Sequence, residues 1–84
     1  MINDFKEIRI RKGKGVYDLT LEIAEEVYFE QYKSTNVKEA ERIIDHYLTK
    51  RQDMGKAENI NINHDGSKHI IQLTTELDYN DEYP

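Results

Sequence analysis

An amphipathic helix over Asn36 to Gln52 is the feature that most constrains this chain. Asn36 is a good N-cap and Glu39 stands three residues on, where its side chain can reach back to the cap. Val37, Ala40, Ile43, Ile44, Tyr47 and Leu48 then fall on one face, with Lys38, Glu39, Glu41, Arg42 and Asp45 on the other. Lys50 and Arg51 suit the negative end of the helix dipole, and Gly55 supplies a stop. A single apolar stripe needs a single surface to cover it, and 84 residues leave room for one domain with one modest core.

That surface is a sheet. Ile8 and Ile10 alternate with Glu7, Arg9 and Arg11, and Tyr17, Leu19, Leu21 and Ile23 repeat the pattern. A two-residue turn at Gly13-Lys14 sets Ile10 opposite Tyr17 and Ile8 opposite Leu19, with Arg9 across from Asp18 on the outer face. Ile60 and Ile62 begin a second hairpin, in which a turn at Asp65-Gly66 pairs Ile62 with His69 and Ile60 with Ile71, while Leu73 and Leu77 extend the apolar side. Val27 to Lys33 reads as a third strand, because a helix there strands Phe29 on a polar side; a helix in its place is the alternative.

The expected fold is therefore α+β: a small, mostly antiparallel sheet in the order β-β-β-α-β-β, packed against one helix, with β-β-α-α-β-β as the alternative. Residues 1–77 form the domain and residues 78–84 an acidic flexible tail. The element order is similar to that of the OB-fold, a small barrel used for oligonucleotides and other ligands. The resemblance is one of topology, with no shared motif, and does not by itself imply a function.

Composition narrows the chemistry. Without cysteine there is no disulfide, thiol nucleophile or thiolate metal site, and no stretch approaches the roughly 20 apolar residues of a membrane span. The start lacks the basic and apolar segments of a secretion signal, so a cytoplasmic location is expected. The net charge of −5 is uneven: residues 1–21 sum to +2, whereas residues 57–84 sum to −5. A nucleophile with its base, a buried carboxylate pair and a three-ligand metal set are all missing from the pattern; His64, Asp65 and His69 flank one turn, but a two-residue turn there sets His64 opposite Ser67 rather than His69, and three ligands for one site are not evident. No enzyme activity, cofactor or metal is expected.

Two binding surfaces remain. Tyr28, Tyr32, Asp78, Tyr79, Asp81, Glu82 and Tyr83 make an acidic, tyrosine-bearing surface suited to a protein partner with a basic face. The expected role is a regulator or inhibitor, in its sharpest form an inhibitor or immunity protein of a nucleic-acid-processing enzyme. The alternative is a single-stranded nucleic-acid binder using Arg9, Arg11, Lys12 and Lys14, where two glycines let the backbone approach phosphate. An unprotected strand edge also allows pairing with another copy of the chain.

Overall fold

The computed structural model describes residues 5–80. Its elements run β1 (Lys6–Gly13), β2 (Val16–Ala24), α1 (Glu25–Gln31), α2 (Val37–Lys50), β3 (Lys56–Asp65) and β4 (Ile70–Asp78). The four strands form one antiparallel sheet in the order β1-β2-β4-β3, and both helices lie on the same face. The α+β class is as expected, and its arrangement is the β-β-α-α-β-β alternative, an open sheet rather than a barrel.

The core forms where helix and sheet meet. Leu19, Leu21 and Ile23 of β2 and Ile71, Leu73 and Leu77 of β4 face Tyr28 of α1 and Ala40, Ile43, Ile44 and Leu48 of α2. The stripe on α2 is thus covered as its spacing requires, apart from Val37, which is exposed. Asn36 Oδ1 accepts the Glu39 N–H at 2.9 Å, while the Glu39 carboxylate pairs with Arg42 instead of returning to the cap. The helix stops before Gly55. Gln52 takes the left-handed φ of 56°, with its N–H donating to Thr49 O and the Asp53 N–H donating to Leu48 O, a Schellman closure.

The expected strand over Val27 to Lys33 is instead α1. Glu25 N–H donates to His69 O at 2.9 Å, which ends β2, and Glu25 and Glu26 occupy the first helical turn, where acids are favoured. Tyr28 is fully buried, and its hydroxyl donates to Ser34 O at 2.6 Å. Phe29 does stand on the outer side at 42% exposure, but it rests against the His64 ring, 5.4 Å between centroids.

Both hairpins differ from expectation, with opposite consequences. In the second, the loop is four residues long: Asp65 Oδ1 accepts from Ser67 N–H, Ser67 Oγ and Lys68 N–H, and His69 adopts φ 57° before β4 begins. Ile62 pairs with Leu73 rather than His69. The shift is an even number of residues, so the expected faces survive.

In the first hairpin Ile10 pairs with Asp18, and Arg9 with Leu19. The expected turn at Gly13-Lys14 does not form; the chain instead puts the left-handed φ of 72° at Gly15 and absorbs the difference in a bulge between Arg11 and Gly13. A shift of one residue exchanges the faces of a strand. Phe5, Glu7, Arg9 and Arg11 therefore share the helix-bearing side with Tyr17, Leu19 and Leu21, and Ile8 and Ile10 lie on the uncovered side.

Candidate protein-binding face

The uncovered side of the sheet is built from three rows that cross all four strands. Lys6, Glu22, Gln72 and Asn63 make the first; Ile8, Thr20, Thr74 and Asn61 the second; Ile10, Asp18, Glu76 and Glu58 the third. Polar side chains stitch the first row together, Gln72 Nε2 donating to Glu22 Oε2 at 2.9 Å and Asn63 Nδ2 to Gln72 Oε1 at 3.3 Å. The third row is different in kind. It sets three carboxylates in direct register on neighbouring strands, where Cβ atoms stand about 5 Å apart and like charges oppose one another.

Glu76 is the most compensated of the three. Lys12 Nζ binds its Oε2, and Asn59 Nδ2 donates to its Oε1 at 3.4 Å. Lys12, followed by Asn59, holds the Glu76 carboxyl below the ordinary range. With Asp78 and Lys56, paired at one end, the uncovered face carries five carboxylates against three lysines among the described residues.

On the other side, the flipped β1 feeds a polar network that joins four parts of the chain. Arg9 donates to Asp53 Oδ2 at 3.1 Å and to the Tyr79 hydroxyl at 2.9 Å, and that hydroxyl donates to Asp53 Oδ1 at 2.7 Å. Burial works against charge on Asp53, but Tyr79, the Gly55 N–H and Arg9 outweigh it and lower its pKa. Glu7 accepts the Tyr47 hydroxyl and lies 3.4 Å from Arg9 Nε, while Arg51 stacks 4.8 Å above the Tyr47 ring. Burial, reinforced by Glu7, pushes Tyr47 up to about 12.

The expected nucleic-acid residues are consequently divided. Arg9 is committed to Asp53 and Tyr79, Arg11 shares its side of the sheet, Lys12 crosses the opposite face to Glu76, and Lys14 sits in the exposed turn. The turn backbone is occupied as well: Tyr79 N–H donates to Gly15 O at 2.8 Å, and Asn80 Nδ2 to Lys14 O at 2.9 Å.

The expected tyrosine-bearing surface is likewise dispersed. Tyr28 is in the core, Tyr32 is half-buried beside it with ring centroids 5.0 Å apart, and Tyr79 closes the Arg9 network at the far end. Asp78 ends β4, and Tyr79 and Asn80 are bonded to the first turn. Asp81, Glu82 and Tyr83 lie outside the described residues.

His64 and His69 do not sit as the expected turn placed them. Both meet Glu25, His64 Nε2 at 2.6 Å from Oε2 and His69 Nδ1 at 2.9 Å from Oε1, and together they lower the Glu25 pKa, His64 first. This triad ties α1 to β3 and to the β3–β4 loop. Among the described residues no group of three or more His, Asp or Glu is arranged to hold a metal ion, and no helix is long and apolar enough to cross a membrane.

The acid row escaped sequence reading because it depends on the register of three strands distant in sequence. Its only local sign is that Asp18, Glu58 and Glu76 each stand at a polar position of an alternating segment.

The fold and face define a two-layer α+β protein with an acidic, uncovered sheet. Comparison with protein-family models, with curated proteins and with solved structures returns no match, so its functional reading rests on geometry.

Proposed function

We propose that this is a small, non-enzymatic cytoplasmic binding protein that docks a basic surface of another protein on its uncovered sheet face. The row Asp18–Glu76–Glu58 carries the reading. Asp18 and Glu58 flank the Lys12-paired Glu76 in register without an ion pair of their own among the described residues, and an incoming Lys- or Arg-rich surface supplies cations for them. Regulator or inhibitor is the role that follows. Its sharpest version is an inhibitor or immunity protein of a nucleic-acid-processing enzyme, since such an enzyme presents a basic groove of the kind an acidic face fits.

The nucleic-acid alternative has less support, because Arg9 and Lys12 are neutralised within the fold and Arg11 and Lys12 lie on opposite faces. The test is capture from a host lysate at low and moderate salt, with nuclease treatment, comparing the parent chain with an Asp18→Asn, Glu58→Gln variant. The parent is expected to retain a nuclease-resistant protein that the variant loses and that salt releases. Equal retention by the variant contradicts the proposed face. Recovery of nucleic acid alone transfers the role to Arg11 and Lys14.

A further inference from the structure

The two edges of the sheet are unlike. β3 is interrupted by a bulge at Asn59, φ 55°, which disturbs its pairing register and makes it a poor template for another strand. β1 is regular from Lys6 to Arg11, and among the described residues nothing pairs with its outer side. On this bare edge Ile10 is 61% exposed and Ile8 half-buried. Alternating apolar residues on an unpaired edge are a surface that proteins ordinarily blunt or cover.

The residue order of β1 is also complementary to itself. A two-fold axis perpendicular to the sheet keeps the faces of two antiparallel strands aligned, so each residue meets one whose number gives a constant even sum. With Arg9 of the two copies opposite one another, Ile8 meets Ile10 of the second copy, and Ile10 meets its Ile8, making one four-isoleucine cluster on the uncovered face. On the helix-bearing face Glu7 meets Arg11 of the second copy, twice by symmetry. Neighbouring symmetric registers lose this match: moving the axis to Ile8 sets Lys6 against Ile10, and moving it to Ile10 sets Arg9 against Arg11.

Of the like charges that meet in the chosen register, Arg9 and Lys12 have partners already. Arg9 is held by Asp53 and Tyr79 of its own chain, Lys12 by Glu76, and Lys6 lies across from Glu22. The geometry points to a homodimer in which β1 pairs antiparallel with β1 of a second copy about Arg9, giving a continuous eight-stranded sheet. This inference is independent of the acidic row, which remains uncovered in the dimer and is doubled by it.

Sedimentation equilibrium on the parent chain over a wide concentration range tests the dimer, and cysteine pairing tests its register, since the chain contains no cysteine of its own. The parent is expected to pass reversibly from monomer to dimer. Ile10→Lys, an exposed position that does not threaten the fold, weakens that association by about a hundredfold, because one isoleucine is lost from each copy. Arg11→Glu, which sets two acids opposite each other, also leaves a monomer. Under oxidation, an Ile8→Cys chain cross-links with an Ile10→Cys chain, and neither cross-links with itself. A parent that stays monomeric throughout, a dimer that survives Ile10→Lys, or cross-linking in another combination overturns the proposal.

Discussion

At the scale of single residues, the one-residue displacement of β1 determines what Glu7, Arg9 and Tyr47 do. Burial disfavours the tyrosinate form of Tyr47, and the Glu7 carboxylate that accepts its proton disfavours it further. Tyr47 therefore ionises near pH 12 in the fold, against 10.0 ordinarily. A pKa raised by folding means that the contribution is fully present below pH 10 and is lost as pH rises through 12. The difference in tyrosinate absorbance between the parent and Tyr47→Phe is expected to have its midpoint near 12, and Glu7→Gln brings it down. A midpoint at 10 for the parent contradicts the Glu7–Tyr47 bond. None of this was legible in the alternation of Phe5 to Arg11, because period two identifies two faces without saying which faces the helix.

At the scale of elements, legibility followed how local the determinants are. The helix α2 carries its cap and stripe within one segment, and both stand where the sequence placed them. Its end was misread because glycine is the usual left-handed residue, and here Gln52 takes that role. The two termini give opposed predictions for chemical denaturation. Asn36→Ala costs about 1 kcal/mol by removing the acceptor of the Glu39 N–H. Gln52→Gly raises stability by about 0.5–1 kcal/mol, the relief of a left-handed side chain less the entropy cost of glycine. A destabilised Gln52→Gly variant contradicts the observed closure. The short α1 has no side-chain N-cap bond and is held by tertiary partners instead: Tyr28 in the core, Glu25 on two histidines, Phe29 against His64. Those partners lie on α2, β3 and the β3–β4 loop, beyond the reach of a local window. The readable sign was the pair Glu25-Glu26 at the head of the segment.

At the scale of the molecule, hairpin register sorts charge between the two sides of one sheet. β1 and β2 put Arg9 and Glu7 on the side of α2 and leave Lys12 on the other, while β2, β4 and β3 align Asp18, Glu76 and Glu58 on the uncovered side. The binding role, the division of the basic hairpin and the self-pairing edge all depend on this sorting. Its most direct test is paramagnetic broadening of isoleucine methyl resonances by an inert soluble probe, using the Arg11→Glu chain to hold the monomer. Strong broadening of Ile10, intermediate broadening of Ile8, and near-complete protection of Ile23, Ile44 and Ile71, which are 0–2% exposed, are expected. Protection of Ile8 and Ile10 at the level of the core residues would place them beneath the helices and return Arg9 to solvent, which the pairing of Ile10 with Asp18 forbids.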